Sequence, residues 1–216
     1  MTADACLAAP TPYLAAMSAP KIIPAALMLE ARSGWPAELR LLLERYPREA
    51  WQAHANLGAM ARFWLQRHDM FRDIATALSD ATAAFREGRL GASDFRVYFP
   101  PRLQFFLQQL NAHHQVEDLH YFPLFQAAEA RLARGFDVLE ADHGMIHQSI
   151  DATVAAANAF LRAAVNDADA LGRTGDAYAG ASGRLMRQLN AHLGDEEDLI
   201  IPLILERGEE ALGVGH

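Results

Sequence analysis

Residues 109–125 read QLNAHHQVEDLHYFPLF and residues 188–204 read QLNAHLGDEEDLIIPLI, so Gln109-Leu110-Asn111-Ala112-His113 returns unchanged as Gln188-Leu189-Asn190-Ala191-His192. In each copy a glutamate follows the histidine by four residues (Glu117, Glu196) and a proline follows it by ten (Pro123, Pro202). Four residues is about one turn of α-helix, so each copy sets an imidazole and a carboxylate on one helix face. That is a metal-ligand pair, present twice.

Working outward from the repeat, the pattern is helical almost throughout. Residues 48–87 lack proline and repeat apolar residues at helical spacing (Leu57, Met60, Phe63, Trp64, Phe71, Ile74, Leu78, Phe85), which predicts one long helix stopped by Gly88 and Gly91. Ser93-Asp94 and Pro100-Pro101 are read as resetting the direction, so that the helix carrying the first copy starts near Arg102 and bends at Pro123 before Gly135 closes it. A third helix is predicted over about 137–165, a polar turn over 166–176, and a fourth helix over 177–206 with Gly208 as its stop. No run of strand period interrupts them. The expected fold is all-α, an up-down-up-down four-helix bundle preceded by an N-terminal Pro-rich arm and a short helix. The corresponding boundaries are 1–47 for arm and short helix, 48–208 for the bundle and 209–216 for a C-terminal tail.

Composition narrows the function. The 216 residues are 51% apolar with a formal charge of −8, which is enough apolar content for one sizeable core and the wrong sign for a nucleic-acid-binding face. No window of eighteen consecutive apolar residues spans a bilayer, and the proline-cut N-terminus does not read as a signal peptide. Cys6 is the only cysteine, so thiolate clusters for zinc or iron–sulfur are absent and a reducing cytoplasm is the expected location.

Of nine histidines, five fall well inside the predicted helices at positions that a bundle can bring together: His68, His113, His143, His147 and His192. His143 and His147 repeat the one-turn spacing. With Glu117 and Glu196 they oversupply one tetrahedral ion, and mixed nitrogen and oxygen donors favour a pair of redox-active first-row ions such as iron. Glu197 is the alternative to Glu196, being one residue further along and within reach of a flexible side chain. Glu197, Asp118 and Asp198 otherwise read as a solvated face or as acceptors for imidazole N–H groups. His114 points about 100° away from His113 and reads as a supporting or surface residue. His54, His120 and His216 have ordinary core, surface or terminal readings.

On these residues the chain resembles the hemerythrin-like, or HHE cation-binding, family. RHDMF at 67–71, HHQVEDLHYFP at 113–123, EADHGMIH at 140–147 and HLGDEEDLIIP at 192–202 stand in the family's order across about residues 50–208. The resemblance implies a four-helix bundle with a non-haem di-iron centre. Its implied ligands are His68, His113, Glu117, His143, His147 and His192, with the last carboxylate at Glu196 or Glu197. Oxygen-carrying members place an Asp five residues after the final histidine, whereas several regulators and repair proteins place a Glu four after it, so the chain is nearer the broader group. Its single Cys6 departs from the cysteine-containing N-terminal domain of the repair members.

The expectation is a non-haem di-iron protein that binds dioxygen or nitric oxide, in sensing, storage or carriage, with two oxo- or hydroxo-bridged iron ions as cofactor. The alternative is a di-iron oxidoreductase acting on peroxide, nitric oxide or ferrous iron. Neither nucleic acid nor membrane is an expected partner.

Overall fold

The structure, a computed structural model, describes Leu7, residues 21–166 and residues 168–215. Most of the expected Pro-rich arm, including Cys6, lies outside the described residues. Within them the chain is all-helical, with no strand. A 3-10 turn at Ala25–Leu27 is followed by α1 (Leu41–Arg45), α2 (Arg48–Trp51), α3 (Ala59–Arg86) and α4 (Ala92–Val116). A π-helical turn at Glu117–Tyr121 leads into α5 (Phe122–Ala128), a 3-10 turn at Ala130–Leu132, α6 (Ala133–Asn166) and α7 (Ala168–Arg207). No described helix is long and apolar enough to cross a membrane.

Each long helix forms because its buried positions follow the helical period. In α3 the buried residues are Ala61, Trp64, His68, Phe71, Ala75, Leu78, Ala81 and Thr82, which recur every three or four positions with Ala81 and Thr82 side by side. In α4 they are Phe95, Phe99, Leu103, Phe106, Leu107, Leu110, Asn111 and His114, one helical stripe. Gly88 ends α3 and Gly208 ends α7, both with positive φ (72° and 79°) that residues with a Cβ rarely adopt.

Five expectations are corrected. The helix expected over 48–87 is broken at residues 52–58, and at the end of the break Gly58 lies so close to the Glu209 carboxylate that a Cβ there would meet it at 2.3 Å. Glu209 uses that closeness to accept the Ala61 N–H at 2.8 Å, capping the start of α3 from a distant part of the chain. Pro100 and Pro101 lie inside α4, which begins at Ala92; the carbonyls they leave without donors belong to Arg96 and Val97, both exposed to water. The helix of the first repeat copy does not continue as α-helix to Pro123 but widens into the π turn, and Pro123 falls in the first turn of α5, where its missing N–H costs little. Gly135 is not a stop: it lies in the first turn of α6, where a Cβ would meet Leu199 Cδ1 of α7 at 2.8 Å. The turn expected over 166–176 is helical from Ala168, with Asp169 in the first turn where its charge favours the helix dipole.

The described chain divides into two compact units. One comprises Leu7, residues 70–112 and the described residues of 146–187; the other comprises residues 21–69, 113–145 and 188–215. The first unit is built on aromatic rings: Phe95 stacks between Phe85 and Phe99 at 4.4 and 4.7 Å, and Phe160 stacks on Tyr178 at 5.9 Å. The second has a core of Trp35, Leu39, Leu42, Trp51, Leu57, Trp64, Phe122, Phe125, Phe136, Leu199, Ile201 and Ile204, joined by Leu212 and Val214 from beyond α7. The segment before α3 is tied to the end of α7 by Asn56 Nδ2 donating to the Leu205 carbonyl at 2.7 Å and by Arg45 and Tyr46 donating to Glu206.

The glycines give a direct check on this packing. Gly135→Ala forces Leu199, buried at 1% exposure, to move, and a loss of about 1–3 kcal/mol in unfolding free energy is expected. Gly180→Ala, inside α7 with nothing within 4 Å of its added methyl, is expected to gain about 0.5–1 kcal/mol by stiffening the unfolded chain. Urea unfolding of the two variants measures both signs.

Candidate metal centre

Within the second unit, each long helix brings core-facing side chains to one place. α3 supplies His68, the junction of α4 with the π turn supplies His113, His114 and Glu117, α6 supplies His143, and α7 supplies His192 and Glu196. Their ligand atoms form two groups whose members lie within 4.8 Å of one another: His68, His113, Glu117 and Glu196 in one, and His114, His143 and His192 in the other. Glu117 Oε1 is 2.9 Å from His113 Nε2 in the first group and its Oε2 is 3.5 Å from His143 Nε2 in the second. Glu196 Oε2 lies between the groups, 3.6 Å from His68 Nε2 and 3.4 Å from His192 Nε2.

The outward nitrogens of the rings are held by carboxylates. His68 Nδ1 is 3.0 Å from Glu197 Oε1, His143 Nδ1 is 2.9 Å from Asp118 Oδ1, and His192 Nδ1 is 3.5 Å from Asp142 Oδ2. A carboxylate only accepts, so each ring gives its Nδ1 proton outward and turns the Nε2 lone pair inward. The inward nitrogens then face each other, His68 Nε2 and His113 Nε2 at 3.2 Å and His143 Nε2 and His192 Nε2 at 3.1 Å. Facing lone pairs repel unless a cation, proton or metal, sits with them.

The carboxylates make the same demand. Neither oxygen of Glu117 nor Oε2 of Glu196 accepts a hydrogen bond, although all three atoms are buried, and such atoms carry a large desolvation cost. Glu196 Oε1 is different, because the buried Trp64 indole N–H donates to it at 2.8 Å. Burial and the nearby Glu196 charge push Glu117 well above the usual carboxylate range. Burial acts to raise Glu196 too, but His68, His192 and His113 around it outweigh burial and hold it low. Burial lowers His113 well below the usual imidazole value. Burial also acts to lower His192, yet Asp142 and Glu196 prevail and raise it to about 9. Without metal, the centre therefore holds protons where cations belong. The donor atoms fit a pair of ions: imidazole nitrogens on both sides, a carboxylate whose two oxygens face both groups, and a second carboxylate with one unclaimed oxygen.

Of the residues singled out in the sequence, His68, His113, Glu117, His143, His192 and Glu196 are brought together. Of the consecutive glutamates, Glu196 turns inward, whereas Glu197 bonds His68 from behind and pairs with Arg48. His147 is half-buried, lies in the other unit and is in neither group. His114, read as a supporting or surface residue, is not at the surface: it is fully buried, stacked on His143 at 4.0 Å and edge-on to His192 at 5.6 Å. The 100° that separates it from His113 sets it in the other donor group. Asp198 bonds Arg48 and no histidine, and His120 is exposed. Sequence reasoning passed over Asp142 and Trp64. Asp142 adjoins His143 but serves His192, fifty residues on, and no local spacing signals that pairing.

The described residues thus form a helical protein with two buried donor groups able to hold cations, one of nitrogen and oxygen and one of nitrogen alone. The chain belongs to the hemerythrin HHE cation binding domain family, whose model matches residues 59–204, more than half of its length. No curated protein and no solved structure matches it.

Since His192 titrates at about 9, it is protonated at pH 7, and a metal must displace that proton. Calorimetric titration of the metal-free protein with Zn(II) in buffers of differing ionisation enthalpy is expected to show proton release at pH 7. The His192 contribution fades as pH rises through 9, and heats independent of buffer at pH 7 would contradict the assignment.

Proposed function

We propose that the chain is a non-haem di-iron protein that binds dioxygen or nitric oxide, built as an up-down-up-down four-helix bundle and working in the cytoplasm. The observation that carries the reading is Glu117, a buried carboxylate with two unclaimed oxygens, one facing each histidine group. In this reading His68 and His113 would hold one iron, His143, His192 and His114 the other, with Glu117 offering an oxygen to each group and Glu196 its Oε2. Ferrous iron held by these residues would supply electrons and an open coordination position for a diatomic ligand.

The surrounding residues serve that purpose. Trp64, Phe122, Phe125 and Phe136 are nearly or fully buried around the site and keep bulk water from it. Glu197, Asp118 and Asp142 hold the Nδ1 protons of His68, His143 and His192, keeping the Nε2 atoms aimed inward. The donors are imidazole and carboxylate only, a set that suits iron better than the thiolate-rich sites typical of structural zinc.

Anaerobic purification followed by metal analysis and visible spectroscopy tests the reading. Two irons per chain are expected, with a charge-transfer band that appears under oxygen or nitric oxide and disappears when the gas is removed. Zinc in place of iron, or no band, would sink it, and steady turnover with a reductant would instead make the chain an oxidoreductase. Ligand variants sharpen the test. Glu117→Ala and His114→Ala are expected to fall to one iron or fewer, while His147→Ala keeps both. The opposite outcome for the two histidines would restore the ligand set implied by the family resemblance.

A further inference from the structure

The residues before the family-matched region, which begins at residue 59, reach the metal centre from outside. Arg32 has a side chain 1% exposed and donates to Asp142 Oδ2 at 2.5 Å and to Asp195 Oδ2 at 2.7 Å. The same Asp142 oxygen lies behind His192 Nδ1. Arg48 donates to Glu197 Oε2 at 2.9 Å and to Asp198 Oδ1 at 2.7 Å. The other oxygen of Glu197 lies behind His68 Nδ1. Each guanidinium packs over a tryptophan of its own segment, Arg32 over Trp35 at 4.8 Å and Arg48 over Trp51 at 5.0 Å. Each also donates to a backbone carbonyl, Leu27 for Arg32 and Gly194 for Arg48, and the Trp35 indole donates to the Asp195 carbonyl. The same construction thus occurs twice: tryptophan, arginine, carboxylate, ligand histidine.

The duplication follows the division of the donors. His68 belongs to one group and His192 to the other, so one arginine stands behind each. We propose that residues 32–51 form a clamp belonging to the metal centre, in which Arg48 and Arg32 each orient the carboxylate behind one ligand histidine, one for each ion position. The proposal rests on the two-metal reading above. A carboxylate alone can swing about its side-chain torsions; one bonded on its far side by a planar, packed guanidinium keeps the imidazole in its tautomer and at its angle. Both arginines are positioning residues, touching no ligand atom.

The test is titration of the metal-free, full-length protein with Zn(II) against a competing chelator. Wild type is expected to bind two equivalents. Arg48→Gln should weaken one of them about tenfold and leave the other unchanged, with Arg48→Lys recovering part of the loss. Arg32→Met combined with Asp195→Asn, which removes one of the two carboxylate charges the arginine leaves behind and spares Asp142, should weaken the other equivalent. If that pair of changes prevents folding, Arg48→Gln decides alone. Arg45→Gln removes a charge from the same segment, one paired with Glu206 away from the donor groups, and serves as the control. Proton NMR of the zinc-loaded protein gives a second readout: Arg48→Gln should move the His68 Nδ1–H resonance and spare that of His192. Equal weakening of both equivalents, no weakening, or an effect matched by Arg45→Gln overturns the clamp while leaving the metal reading intact. A wild-type chain that binds no zinc overturns the metal reading, and the clamp with it.

Discussion

Two pairs of imidazole nitrogens face each other at 3.2 and 3.1 Å in a core that also buries two carboxylates. An arrangement of this kind is not stable by itself, since buried polar atoms need partners and like charges need separation. The rest of the second unit can be understood as what holds these groups in place until a cation arrives. The apolar residues around them, Trp64, Phe122, Phe125 and Phe136, contribute on the order of 1.5–3 kcal/mol each by burial, and this apolar packing offsets the cost of the polar cluster they enclose.

The supports are graded outward. Glu197, Asp118 and Asp142 fix the tautomers of three histidines, and Trp64 claims one oxygen of Glu196 and leaves the other. The π turn at Glu117–Tyr121 starts at the residue whose oxygens face both groups. Such turns insert an extra residue into a helix and commonly mark functional positions. Here it keeps Glu117 one regular turn from His113 while giving Phe122 and Phe125 their own approach to the core.

The residues of the two donor groups were largely legible in the sequence because they occupy core positions of regular helices. His68 sits between Trp64 and Phe71 at helical spacing, and His113 with Glu117 and His192 with Glu196 repeat one turn. What spacing along one helix cannot reveal is contact between helices. The cap at the start of α3 depends on Glu209, the glycine at 135 on Leu199, and the support of His192 on Asp142, all far away in the chain. The burial of His114 was not legible, because a residue 100° from His113 faces another helix, and spacing along one helix does not say whether that neighbour is close. Pro100 and Pro101 looked like breaks because sequence does not say that the carbonyls they orphan face water.

The cap that Glu209 places on α3 also has a bearing on biosynthesis. Ala61 and Glu209 are 148 positions apart, so during vectorial synthesis the first turn of α3, which carries Trp64 toward the centre, remains uncapped until nearly all of this sequence has left the ribosome. His192 and Glu196 emerge only shortly before it. On the nascent chain His68, His113 and Glu117 therefore emerge well before His192 and Glu196. A donor set drawn from α3, α4 and α7 stays incomplete until residues far apart in the sequence have met.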